Sequence, residues 1–551
     1  MSSQLSLNLD NKLADDCQFS GAFVGAAVGD ALGFITEFMR SPNDLQKYYA
    51  VNKLNNLINW ERITRFQSKY TIKLPIPAGT FSDDMQLTLA TSRCLTVSGE
   101  FDSSAFAKQE LSLWLEYQLG GGSGTKAAAT NLRKNKIEWH NNFYDTPYTQ
   151  YIKSGGNGVA MRVLPIALVH SQDARNRYAN IWRNAIITHG HVRGIIGGLL
   201  FADTVSSLLD KPEQKIVWLK DLIDTCNVEY PKVSEIWKQI PEFPKWQETW
   251  EELSKQSFTE AWHKVCEETK SQLQLIYENI QTREPRKILN QLGCYDRNTK
   301  GAGNSTVVAG IFFFCRQDLY EDTIVAVANE IGIDTDTIGY FVGAMFGAYQ
   351  GLESIPQRFR DRIQDYDYLS QMSDWCYRIY SGEAVSQAEF SYPSVIESDF
   401  SKNVKEQLEI ATVNSDITLP VLGSGKLISD TDITPAWRGK HIHWLKLSLD
   451  IGQTVFFQVT RSISRDSTTQ LNAQIKPDRQ ESVVSSLAVL DEFKNALEES
   501  NFNTEVLMDT IRNIKFSKKD RAIYNAFMTW LWSALPEGVD APDQNEEVPE
   551  E

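Results

Sequence analysis

The chain has 551 residues, 42% of them hydrophobic and 23% charged, with a formal net charge of −16. That length suits two or three domains of roughly 150 residues and a sizeable core, and the acidic balance argues against wrapping a nucleic-acid backbone while suiting a protein that concentrates divalent cations. Apolar runs such as Val307 to Cys315 fall far short of a membrane span of ~18–20 residues, and seven scattered cysteines with no C-x-x-C pair indicate neither a disulfide framework nor a thiolate zinc site.

The first residues, MSSQLSLNLD, lack the basic and apolar segments of a secretory signal, so a cytoplasmic protein is expected. From residue 18 to about 382 the pattern is mainly α: apolar positions recur at helical spacing over Asp102 to Leu119, Ile181 to Leu209, Ser257 to Ile280 and Asp322 to Tyr349, and strands are hard to find. Two glycine ladders stand out, Gly21, Gly25, Gly29 and Gly33 near the start and Gly339, Gly343, Gly347 and Gly351 near the end. An interior glycine costs a helix about 1 kcal/mol relative to Ala, so each ladder should be offset by close packing of backbone or ligand, with helix–helix packing the favoured reading. Residues 210–298, rich in Lys, Glu and Trp and poor in Gly, read as a surface helical insertion.

After about Glu383 the grammar changes. Ile442 to Ser464 alternates apolar and polar residues around a Gly-Gln turn, the pattern of two half-buried strands. Amphipathic stretches at 485–499 and 519–535 follow, and an acidic tail from Pro536 should be disordered. The expected architecture is a catalytic domain over 1–382, a smaller α+β domain over 383–535 of open role that could bind a protein partner, and a tail over 536–551.

Acidic residues accompany both ladders: Asp30 and Glu37 after the first, Ser82, Asp83 and Asp84 in a Gly-rich apolar setting, and Asp334-Thr-Asp-Thr at the opening of the second. Taken singly, each is more often a helix cap than a ligand. Together they supply only hard oxygen donors, which Mg²⁺, Mn²⁺ or Ca²⁺ prefer over zinc, and buried carboxylates need a cation. Ser154-Gly-Gly-Asn-Gly158 is a loop whose amides can approach a phosphate, and Gly120-Gly-Gly-Ser-Gly124 is a second of the same kind with less support. Neither carries the Gly-Lys-Ser/Thr of a triphosphate P-loop. His189 and His191, two apart, lack the spacing of helical zinc ligands, and no G-x-S-x-G elbow suggests a serine nucleophile.

In order, G-A-F-V-G-A-A-V-G-D-A-L-G-x-x-x-E, S-D-D-M, S-G-G-N-G-x-x-M-R, T-H and G-I-D-T-D-T-I resemble the motif set of the ADP-ribosylglycohydrolase family over residues 18 to about 352. That resemblance implies an all-α hydrolase that removes ADP-ribose from a target at the distal ribose, with two Mg²⁺ (or Mn²⁺) held by Ser82, Asp83, Asp84, Asp334, Asp336 and Thr337. Asp336 would bridge them, and Glu37 would be the mobile acid that gates the reaction or handles a proton. Ser154, Gly155, Gly156, Asn157, Gly158, Met161 and His189 would hold the substrate. Two positions depart from the family pattern: Ser82 stands for the usual Thr, keeping the oxygen, and Ile333 puts a β-branched side chain where the second Gly of G-G-D-T-D-T is usual. The expected partner is an ADP-ribose conjugate, with no membrane and with nucleic acid only as an ADP-ribosylated substrate. The competing reading is an inactive ADP-ribose binder whose C-terminal domain meets a partner.

Overall fold

A computed structural model describes residues 14–66, 70–384, 400–433 and 440–462, all but the last of them within a compact unit that ends at Arg461. The first helix, α1 (Asp16–Phe34), starts at a capping box: Asp15 accepts from Gln18 N–H while the Gln18 side chain accepts from Asp15 N–H. A short α2 (Asn43–Tyr49) and an antiparallel hairpin, β1 (Trp60–Phe66) and β2 (Tyr70–Ile76), lead to α3 (Asp83–Arg93). The hairpin is a difference from the strand-poor expectation. Its signal was present, since Ile72, Leu74 and Ile76 point into the core and alternate with polar or proline positions.

Further along come α4 (Ser123–Leu132), α5 (Ala174–Ile186) and α6 (Val192–Leu208), then the insertion helices α7 (Lys215–Val228), α8 (Phe243–Ser254), α9 (Phe258–Glu278) and α10 (Pro285–Gln291). The body closes with α11 (Gly303–Arg316), α12 (Tyr320–Ala328), α13 (Thr335–Gln350) and α14 (Tyr366–Ser381). None of the helices described is long and apolar enough to cross a membrane.

The two ladders meet. A Cβ on Gly25 would lie 2.3 Å from Gly343 O, one on Gly29 2.0 Å from Gly339 O, and one on Gly33 2.1 Å from Thr335 O. Numbers that rise on one helix as they fall on the other define an antiparallel pair, α1 against α13, with backbone touching backbone. The glycines are therefore packing devices, and the close approach offsets the helix propensity they forfeit. One consequence reaches the site: the C-terminal end of α1 and the N-terminal end of α13 come together at the same place.

Helix α15 (Phe400–Ile410) precedes a sheet of order β3-β4-β5-β6, formed by β3 (Asp416–Leu419), β4 (Gly423–Asp432), β5 (Lys440–Leu449) and β6 (Thr454–Ser462). Strands β3, β4 and β5 pair antiparallel, and β5 and β6 flank Gly452-Gln453 where the alternating pattern placed two strands. This sheet packs on the helical body: Arg93, buried at the end of α3, binds Glu110 at 2.6 and 2.7 Å and also donates to Tyr368 Oη and to Gln453 Oε1. Thr454 N–H donates to Asp365 at 2.6 Å. The proposed division near residue 383 falls at the edge of 385–399, outside the described residues, as do both later amphipathic stretches and the tail.

Candidate active site

Three chain segments bring the acids together. Glu37 sits one turn beyond α1, where Thr335 Oγ1 donates to Gly33 O at 2.8 Å and Thr36 Oγ1 lies 3.0 Å from Gly33 O and 3.1 Å from Thr335 Oγ1. Asp334 is the N-cap of α13 and Asp336 lies in its first turn. Asp83 and Asp84 open α3, capped by Ser82, whose hydroxyl accepts from Asp84 N–H. Asp30, left without a role by the sequence, holds this helix start: its two oxygens accept from Ser82 N–H at 2.9 Å and Met85 N–H at 3.1 Å. Thr88 then ties α3 to α13 through Tyr340 Oη at 2.7 Å.

Carboxylate oxygens of Glu37, Asp334 and Asp336 lie within 4.8 Å of one another. Burial pushes Asp30 and Asp83 up to about 7 and Glu37 up to about 8, the last aided by the charge of Asp334. Burial, then neighbouring acids, raises Asp84 and Asp336 well above the carboxylate range. Asp84 Oδ2 and Glu37 Oε2 are buried without a hydrogen-bond partner among the described residues. Buried orphan oxygens in a tight group of acids fit a hard divalent cation, and the donors here are carboxylates and hydroxyls only.

These acids form one end of a cavity of about 370 Å³. Of the predicted metal ligands, Asp83, Asp84, Asp334, Asp336 and Thr337 line it, with Glu37 beside them; Ser82 lies fully buried behind them as the helix cap. All seven predicted substrate residues, Ser154 through Gly158, Met161 and His189, line the rest. In that loop the amides of Ser154 and Asn157 are already spent on Tyr151 O and Gly301 O, which leaves those of Gly155, Gly156 and Gly158 uncommitted among the described residues. Asn157 reaches across to the acids, donating to Asp334 Oδ2 at 3.0 Å.

His189 faces the loop: a Cβ on Gly158 would be 2.7 Å from its ring. Its Nδ1 lies 2.7 Å from Thr188 Oγ1, and burial together with the Arg162 charge lowers it to about 3, so the ring is neutral. Arg162 does not face the cavity. It is fully buried and donates to Gly158 O, Asn184 and Thr188 Oγ1, bracing the loop from behind. Arg162 also donates to Thr188 Oγ1, which leaves that hydroxyl its proton and one lone pair for Nδ1. His191 caps α6, its Nδ1 accepting from Arg193 N–H at 3.2 Å, and Ile333 is buried and is not among the residues that line the cavity.

Sequence reasoning missed several neighbours. The Gly120 loop, given less support, is part of the wall: Gly120 has φ +106° and its Cβ would meet Asp83 Oδ1 at 2.5 Å. Thr125, Thr149, Lys153 and Gly301 also line the cavity. Arg62, on the unforeseen hairpin, stacks over Phe34 and Phe38 at 5.3 and 4.8 Å, and its charge draws Glu37 and Asp83 down. Lys300 Nζ lies 3.4 Å from Glu37 O. No spacing rule links a lone Arg at 62 to acids at 37 and 83; only the hairpin does.

A family model described as ADP-ribosylglycohydrolase matches residues 12–386. The chain is similar to the ADP-ribosyl-[dinitrogen reductase] glycohydrolase of Rhodospirillum rubrum, 29% identical over 171 residues, 31% of this chain and about half, 51%, of that protein. It is 23% identical to the ADP-ribosylhydrolase ARH3 of Mus musculus over 66% of this chain and 92% of that one. An uncharacterized protein of Archaeoglobus fulgidus is 26% identical, with 66% and 97% covered. Among solved structures, an "ADP-ribosylglycohydrolase-related protein complex" matches with a TM-score of 0.44 at 17% identity, over 66% of this chain and 98% of that chain.

Proposed function

The chain belongs to the ADP-ribosylglycohydrolase family, and on that premise we propose that it is a metal-assisted hydrolase that releases ADP-ribose from an ADP-ribosylated target by cutting the N- or O-glycosidic bond at the distal ribose. The observation that carries this reading is the meeting, in one cavity, of the Glu37, Asp334 and Asp336 carboxylates within 4.8 Å and the Ser154–Gly158 loop.

Asp83, Asp84, Asp334, Asp336 and Thr337 would hold two Mg²⁺ or Mn²⁺ ions, with Ser82 fixing the start of α3 behind them. Bound there, such ions would polarise the ribose hydroxyls and a nearby water. The uncommitted amides of Gly155, Gly156 and Gly158 suit the diphosphate, and the neutral His189 ring beside that loop would offer one further hydrogen bond. Glu37 is the candidate for proton handling, since its Oε2 is buried, unpartnered and beside Asp334 and Asp336. Cleavage at the anomeric carbon would pass through an oxocarbenium-like transition state.

The test is a panel of conjugates: arginine-linked and serine-linked ADP-ribosyl peptides, poly(ADP-ribose), an ADP-ribosylated nucleobase and a small ADP-ribosyl ester, each incubated with the full chain and Mg²⁺. Free ADP-ribose from one or more of them is the expected result. Tight binding of ADP-ribose with no release from any conjugate would instead identify a reader.

A further inference from the structure

The insertion reads in the sequence as surface decoration, yet it holds five of the chain's 14 tryptophans, Trp218, Trp237, Trp246, Trp250 and Trp262, and all five are buried. An indole N–H that goes into a core needs an acceptor. Trp218, Trp237 and Trp262 donate to Ser207 Oγ, Tyr178 O and Tyr230 O, groups remote from the cavity lining. The other two, one turn apart on α8, do something else. Trp246 Nε1 donates to Tyr151 Oη at 2.9 Å, and Trp250 Nε1 donates to Gly190 O at 2.6 Å.

Both acceptors are next to the cavity wall. Tyr151 O receives Ser154 N–H at 3.0 Å and Gly190 N–H at 3.1 Å, and Ser154 O receives His191 N–H at 3.1 Å. The segment that carries the loop and the segment that carries His189 are thus laced to one another, and Gly190 fits only because a Cβ there would lie 2.4 Å from the Tyr151 ring. Tyr151 also donates to Ile186 O at 2.7 Å, so its hydroxyl is both held by α5 and held by α8. A third anchor comes from α9: Glu268 takes both oxygens' worth of bonds from Arg193 at 2.8 Å each, and one from Asn304 Nδ2 at 3.1 Å. Arg193 and Asn304 stand beside Gly194 and Gly303, whose missing side chains leave room for Gly156 O.

We propose that α8 and α9 are the outer brace of the substrate wall, with Trp246, Trp250 and Glu268 as positioning residues that set the separation of the Ser154–Gly158 loop from His189. This rests on the reading of the cavity as an ADP-ribose site. None of the three touches the cavity; they act through Tyr151, Gly190 and Arg193. Removing an indole N–H leaves a buried acceptor unpaired and frees the lacing to relax outward, so binding suffers before the chemistry at the acids does.

The experiment uses the full chain and compares Trp246→Phe and Trp250→Phe with Trp262→Phe, whose indole serves a different acceptor in the same insertion. Free ADP-ribose affinity is measured by calorimetry, conjugate turnover by ADP-ribose release, and amide hydrogen exchange across 151–158 and 186–194 in the ligand-free protein. Expected for Trp246→Phe and Trp250→Phe are a Kd and KM raised about tenfold with kcat kept within about twofold, and faster exchange in both segments; Trp262→Phe loses Tm only. Wild-type affinity in both α8 variants, whatever their Tm, overturns the proposal, as does an equal loss in Trp262→Phe. A wild-type protein that binds no ADP-ribose overturns the functional reading itself, a result separate from unchanged binding in the variants.

Discussion

Adding one methyl group at Gly343 probes how far the helix pair sets the site. The new Cβ would lie 1.9 Å from Gly25 O, where ordinary contact begins at 3.4 Å, a shortfall of about 1.5 Å that only a parting of α1 from α13 can supply, because the obstacle is backbone. Overpacking that moves backbone costs about 3 kcal/mol, and Ala regains about 1 kcal/mol over Gly within a helix, which leaves a net loss of about 2 kcal/mol. In Gly343→Ala the Tm should fall by ~4 °C or more. The same displacement moves Glu37 relative to Asp336, and a misplacement of about 1 Å at reacting groups is worth on the order of a hundredfold in rate. Gly310→Ala is the control: its Cβ would meet Phe341 Cβ at 3.1 Å, a clash that a few tenths of an ångström relieve. Thermal melts and kcat/KM for ADP-ribose release are measured on both variants. Equal behaviour of the two would refute the argument that backbone contact along the ladders positions the acids.

Chelated protein should be less stable at pH 8 than at pH 6: Asp30 and Asp83, raised to about 7, and Glu37, raised to about 8, hold protons in the folded state that the unfolded chain has already released, so stability falls as pH rises through that window. Saturating Mg²⁺ should raise Tm and flatten this slope; a chelated protein that gains stability from pH 6 to 8, or no Mg²⁺ shift, contradicts the metal site. Asp336→Asn keeps the size of the side chain and removes its charge, and turnover should drop on the order of a thousandfold or more; an unchanged rate takes Asp336 out of the mechanism. Limited proteolysis should cut first near Glu383, where the sequence grammar changes, and the two fragments should stay associated through Arg93–Gln453 and Asp365–Thr454. Fragments that separate on a sizing column would show that these contacts do not hold the sheet to the helices.

Much of the site was legible because its residues are short-range motifs: Ser82-Asp-Asp, Ser154-Gly-Gly-Asn-Gly158 and Asp334-Thr-Asp-Thr each occupy one turn or loop, and the ladders announce a helix pair through their four-residue period. What stayed hidden depends on distance along the chain. Asp30 caps α3 from 52 residues away, which no local pattern encodes. Arg62 reaches the acids only because β1 and β2 fold over the end of α1, and the alternation of Ile72, Leu74 and Ile76 that betrays this hairpin is brief beside the helical runs around it. Trp246 and Trp250 look like ordinary core residues of an amphipathic helix; that their N–H groups point at Tyr151 and Gly190 is a matter of tertiary placement. Arg162, the last residue of the loop's motif, serves the loop from behind by donating to Gly158 O, and its place in the motif alone does not tell that role.

The central claim, that the cluster of Glu37, Asp334 and Asp336 makes this chain a metal-assisted ADP-ribosyl hydrolase, is tested most directly by single-turnover release of ADP-ribose from a conjugate the panel identifies, first in EDTA and then with Mg²⁺ added back in excess. The account predicts negligible release under chelation, full recovery with Mg²⁺, and no recovery in Asp336→Asn. Release that proceeds at the same rate in EDTA, or recovers with Mg²⁺ in Asp336→Asn, would contradict it.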